Sequence, residues 1–144
     1  MSRREEIVAM ARGWIGTPYH HQAASHGVGC DCLGLVRGVY LEITGENPET
    51  PPPYTPDWAE AAGEETLIAA AARHLTEIPP HAATPGDVVI FRLAPGAMAK
   101  HAGLLVTPER MVHAYSGRAV VEVHLGLWWR RRLAAAFRFP GVID

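Results

Sequence analysis

Cysteine is nearly absent from this chain: two of its 144 residues, Cys30 and Cys32, with a single residue between them. A bridge across so short a loop would be strained and would constrain little, so disulfides are not what holds the fold. Two free thiols in a reducing compartment are expected, the alternative being an oxidation that blocks Cys32. Long apolar runs are missing too. No stretch of about 18 apolar residues occurs, so no membrane-inserted helix is expected. The opening Met1-Ser2-Arg3-Arg4-Glu5-Glu6 is too charged for a secretory signal, which leads us to expect a chain made in the cytoplasm. Charge of one sign is also lacking. Thirteen Lys and Arg against 15 Asp and Glu give a net charge of −2, which offers no case for nucleic acid as a partner. What remains is an ordinary globular composition, 48% hydrophobic and 19% charged, at a length that suits one domain, expected over residues 1–144.

The stretch Gly29-Cys30-Asp31-Cys32-Leu33-Gly34-Leu35-Val36 places a thiol where a helix opens. Free backbone N–H groups and the partial positive charge of a helix start stabilise an anion. Such a position can bring a cysteine pKa from about 8.5 into the range of roughly 3.5–7.5. The same N–H groups can hold the oxyanion of a tetrahedral intermediate. Cys32 is therefore the candidate nucleophile, although a free cysteine beside an apolar run is also an ordinary core residue. Downstream, His101 opens the strand-like His101-Ala102-Gly103-Leu104-Leu105-Val106, and His113 closes Met111-Val112-His113-Ala114. Two neighbouring antiparallel strands would set these imidazoles side by side. A thiol, a base histidine and a group that orients it make up a catalytic triad, in which His101 is the base and His113 the orienting residue.

Taken in order, Arg3 to Trp14 reads as an amphipathic helix through Ile7, Val8, Met10, Ala11 and Trp14, ending near Gly13 and Gly16. The segment from Tyr19 to Gly29 reads as a loop containing His20, His21 and His26. These could join the cysteines in a zinc site, but the Cys-x-Cys spacing is tighter than a finger's, and no metal or cofactor is expected. A helix from Asp31 to about Thr44 carries a stripe of Leu33, Val36, Val39, Tyr40 and Ile43, with Asp31 as its cap and Gly45 as its end. Pro48, Pro51, Pro52, Pro53 and Pro56 make the next segment an extended excursion, and a second helical region follows from Trp58 to about Leu75, interrupted at Gly63. From Ile78 the period becomes that of strands, over Asp87–Arg92, His101–Val106, Met111–Ala114, Arg118–His124 and about Ala134–Phe139. Helices first and strands afterwards imply an α+β fold, an antiparallel sheet packed on the Cys32 helix. Trp128-Trp129-Arg130-Arg131-Arg132 offers either interface anchors or an edge strand with half-buried tryptophans.

Five segments in this order resemble the NlpC-type cysteine peptidases of bacterial cell walls: Gly16-Thr17-Pro18-Tyr19, Asp31-Cys32-Leu33-Gly34-Leu35-Val36, Pro85-Gly86-Asp87-Val88-Val89-Ile90-Phe91, His101-Ala102-Gly103-Leu104 and Val112-His113-Ala114. The resemblance covers nearly the whole chain and implies a papain-like fold. It departs in one place, where Leu33 stands after the nucleophile instead of the family's usual serine. By resemblance Cys32, His101 and His113 are catalytic, Tyr19 lines the active site and donates to the developing oxyanion, the alternative being a half-buried core tyrosine, and Asp31 helps hold the free amine of a stem peptide. The implied reaction is hydrolysis of peptidoglycan stem peptides, most often between D-glutamate and diaminopimelate. Gly-Val-Gly-Cys-Asp-Cys-Leu-Gly-Leu-Val and the Trp-Trp-Arg-Arg-Arg ending are similar to the cell-wall peptidases of phage tails and gene transfer agents. That likeness implies carriage in a tail, contact with tail hub or tip proteins through Trp128, Trp129 and Arg130, and action on the wall from outside the cytoplasm. A structural tail component with a vestigial site is the alternative.

Overall fold

A computed structural model describes residues 1–49, 66–115 and 117–144. Helix α1 (Arg3–Gly13) begins at a capping box: the Ser2 hydroxyl accepts from the Glu5 N–H at 3.2 Å, and the Ser2 N–H donates to the Glu5 carboxylate at 3.3 Å. Two donors that a helix start leaves over are thereby satisfied. Ile7, Ala11 and Trp14 are buried, while Met10, expected on the same stripe, faces solvent. The following segment contains a small antiparallel hairpin, β1 (Ala24–Ser25) and β2 (Gly29–Cys30), where a loop was expected.

Helix α2 (Cys32–Thr44) follows at once. Its buried side is Gly34, Leu35, Val36, Gly38 and Val39, rotated from the expected stripe, so that Leu33, Tyr40 and Ile43 are only partly buried. The two glycines explain the rotation. A Cβ on Gly38 would lie 2.2 Å from the Trp14 ring, and one on Gly34 would lie 1.8 Å from the Ala23 carbonyl oxygen. Only bare backbone can pass that close, so α1 and the hairpin set the axis of α2. The helix ends at Gly45, whose φ of 76° is readily adopted only without a side chain.

Of the excursion and second helical region, residues 50–65 lie outside the described residues, including Pro51, Pro52, Pro53, Pro56 and Gly63; helix α3 (Thr66–His74) is the described remainder. The sheet comprises β3 (Thr76–Ile78), β4 (Val88–Phe91), β5 (His101–Thr107), β6 (Arg110–His113), β7 (Val121–His124) and β8 (Leu133–Arg138). All pairings are antiparallel, in the spatial order β3-β8-β4-β5-β6-β7. Ala102, Leu104 and Val106 join the core with Ile7, Leu35 and Val39, while Leu105 packs in a second cluster with Val89, Phe91 and Met111. That alternation is the pleat of β5 at work. Between β7 and β8 the chain forms a single helical turn, α4 (Leu127–Arg130), and no edge strand. The α+β architecture expected from the element order is present, with α2 packed on the antiparallel sheet.

Candidate active site

Asp31 fixes the start of α2. Its Oδ1 accepts from the Gly34 N–H at 2.7 Å and its Oδ2 from the Gln22 N–H at 2.8 Å, so one carboxylate both caps the helix and pins the preceding loop. His21 Nδ1 stands 4.0 Å from the same Oδ2. Cys32 is the first helical residue, and its half-buried sulfur faces β5: Sγ lies 3.8 Å from the Lys100 carbonyl oxygen, and the Ala102 N–H donates toward it. Those are the two chain neighbours of His101. Cys30, by contrast, is fully buried, and its thiol is pushed up to about 12, chiefly by burial.

His101 and His113 meet across β5 and β6. His101 Nε2 and His113 Nδ1 are 2.8 Å apart, and the two residues are 5% and 4% exposed. With Nε2 so engaged, Nδ1 is the ring nitrogen of His101 left for other chemistry. Burial pushes the His101 pKa down to about 3, assisted by His113, and that of His113 down to about 4. For Cys32 the lowering expected at a helix start does not prevail. Burial, followed by the Asp31 charge, pushes the thiol up to about 11 against the backbone N–H groups of Ala102, Leu33 and Cys32 itself. Burial thus works against the charged form of the thiol and of both imidazoles. Tyr19 is partly buried beside it, and burial together with the Cys32 and Asp31 charges holds its phenol up at about 12.

Sequence reasoning missed Trp129 and Tyr115, which both pack on the histidine pair. Trp129 stacks on the His101 ring at 5.4 Å and 27° and meets His113 edge-on at 5.3 Å and 88°. It also packs on Phe91 at 4.9 Å. Instead of presenting Trp129 to a partner, α4 folds it over the histidine pair, and Arg130 Nε donates to the Leu125 carbonyl at 2.9 Å. The aromatic pattern alone carried no sign of this, because it depends on β8 returning the chain beside β4. His26 is likewise structural: it stacks on Trp14, and its ring nitrogens lie 2.9 Å from Glu42 Oε2 and 2.8 Å from the Gly13 carbonyl oxygen. Among the described residues no three His, Cys, Asp or Glu side chains gather as a metal would require.

Residues 16–138 match the model of the NlpC/P60 family. The chain is 28% identical over 140 residues to a gamma-DL-glutamyl hydrolase of Bacillus subtilis, covering 94% of this chain and 29% of that protein, so it spans under a third of this relative's length. Its fold is similar to that of the NlpC/p60 domain of the peptidoglycan hydrolase SagA, with a TM-score of 0.68 at 23% identity over 94% of this chain and 98% of that one. It is also similar to an NlpC/P60 family protein of Bacillus cereus, with a TM-score of 0.69 at 18% identity over 94% of this chain and 40% of that one.

Proposed function

This chain belongs to the NlpC/P60 family, and from that premise we propose that it is a cysteine hydrolase of cell-wall stem peptides, with Cys32 as nucleophile, His101 as base and His113 as orienting residue. The observation that carries this reading is the 2.8 Å contact between His101 and His113, on the strand whose Lys100 carbonyl and Ala102 N–H meet the Cys32 sulfur. For His101 to take a proton at Nδ1, its Nε2 must carry hydrogen and donate to His113 Nδ1, which places the His113 proton on Nε2. The thiol proton then passes to His101 Nδ1 as sulfur attacks the amide carbonyl. Because burial works against both charged forms, proton transfer accompanies attack once substrate is bound. Backbone N–H groups at the α2 start, with Tyr19, stabilise the oxyanion. The His101 imidazolium returns its proton to the leaving amine, and water clears the thioester.

The substrate reading is the bond from D-glutamate to diaminopimelate, with Asp31 receiving the stem peptide's amine; the name of the Bacillus subtilis relative, a gamma-DL-glutamyl hydrolase, supports a γ-glutamyl substrate. The setting is a phage-like tail that brings the enzyme to the wall, a reading supported by the similarity of the Cys32 segment and the Trp-Trp-Arg-Arg-Arg stretch to tail peptidases. The test is digestion of purified peptidoglycan followed by mass analysis of the fragments. Wild type should release peptides ending in D-glutamate, and Cys32→Ala should release none while unfolding at an unchanged temperature. Equal release by both proteins removes Cys32 from the mechanism. No release by either favours the second reading, a tail component without turnover, whose support is the exposed Trp128 with Arg132 over its ring.

A further inference from the structure

Helix α4 has two sides, and the site described above occupies only the inner one. Trp129 turns in over His101, while Trp128 turns out, 48% exposed, with its ring edge-on to Trp129 at 4.8 Å and 83°. The Arg132 guanidinium lies 3.8 Å from the centre of the Trp128 ring, and its Nη1 donates to the Trp128 carbonyl at 2.8 Å. Two contacts therefore hold that cation in place before any ligand arrives. Arg131 and Arg92 line the same groove with Leu133 and Leu127, the latter 62% exposed. The groove has a volume of about 540 Å³, and among the described residues no carboxylate lines it. In a chain of net charge −2, three guanidinium groups around an indole and two leucines are a local excess of positive charge on apolar ground.

Guanidinium groups match carboxylates in shape and pair with them through two parallel hydrogen bonds. The indole and leucines suit the aliphatic stem between such carboxylates. Trp128 links this groove to the histidine pair, since it lines the groove and meets Trp129, which stacks on His101. We infer that the groove is an anion-recognising subsite for the free carboxylates of the peptide being cleaved, so that acidic wall peptides are preferred to the same peptides with their carboxylates amidated. This rests on the hydrolase reading above.

The test measures binding and turnover separately. A tetramer of γ-linked D-glutamate and its fully amidated counterpart are titrated by calorimetry into Cys32→Ala protein, with and without Arg131→Gln and Arg132→Gln. The acid should bind about tenfold tighter than the amide, and the preference should shrink with added salt and vanish in the triple variant. Because Arg132 also braces Trp128, Arg131→Gln alone is the comparison if the triple variant has lost thermal stability, and it should lose part of the preference. Equal binding of acid and amide, or a preference indifferent to the arginines, overturns the subsite. Selective binding of the acid by a wild-type protein that cleaves no wall peptide supports the groove and overturns the hydrolase reading instead.

Discussion

Replacing Asp31 by Asn removes a negative charge from beside Cys32 yet leaves an oxygen for the Gly34 N–H, so helix cap and charge can be separated. Asp31→Asn should cost about 1 kcal/mol, from the bond to the Gln22 N–H, and should move the pH midpoint of Cys32 alkylation by iodoacetamide downward. An unmoved midpoint would mean that burial alone sets the thiol. Cys30, fully buried, should contribute no competing reaction. The histidine pair gives a prediction of opposite sign to that for an exposed imidazole. His101 and His113 have folded pKa values below their unfolded value of about 6.5, so the unfolded chain binds protons first and stability falls as pH drops from about 6.5 toward about 4. Thermal midpoints between pH 4 and pH 7 check this, and a His113→Gln variant should fall less steeply. Cys32, His101 and His113 could be singled out as candidates because each sits in a local pattern. The state of their protons was not legible, since it depends on how much protein the sheet, α2 and Trp129 gather around them.

Helix α2 owes its position to two missing side chains. Gly38→Ala would drive a methyl into the Trp14 ring and should cost about 3 kcal/mol in denaturant unfolding. Gly34→Ala meets a backbone carbonyl, which yields less than a side chain, and should displace the α2 start enough to lose turnover. The link from α1 to α2 also depends on pH. Glu42 raises the His26 pKa by hydrogen bonding, against opposing burial, and the Gly13 carbonyl supports the charged ring. The contribution is fully present below about 6.5 and disappears as pH rises through the raised value. A His26→Phe variant should therefore melt below wild type at pH 5.5 and level with it at pH 9. Strand positions over β4 to β7 were legible from β-branched and apolar runs, α1 from its apolar spacing and α2 from its Asp31 cap, each with a glycine stop. The β1–β2 hairpin was not, because strands of two residues carry no periodicity, and α4 read as a strand because aromatic residues suit either state until packing decides.

Across the molecule, Arg4 ties α1 to the sheet and to the last residue. It bonds to Asp87 at 2.8 Å and to Asp144 at 2.7 and 2.6 Å, and Asp87 is 0% exposed. Arg4→Met would leave the buried carboxylate without its cation, though still bonded to the Thr84 N–H and hydroxyl, at a cost of about 3 kcal/mol measured by denaturant unfolding. The layered α+β arrangement followed from the order of helices and strands, but the strand order did not, because nothing local says that β8 lies between β3 and β4. That placement governs how the protein is made. The sheet cannot join β3 to β4 until residues 133–138 emerge, so a nascent chain on the ribosome carries two open strand edges until β8 has been made. A translation stop ahead of Leu133 should therefore yield an insoluble, inactive product, checked by solubility and wall-digestion assays of the truncated chain.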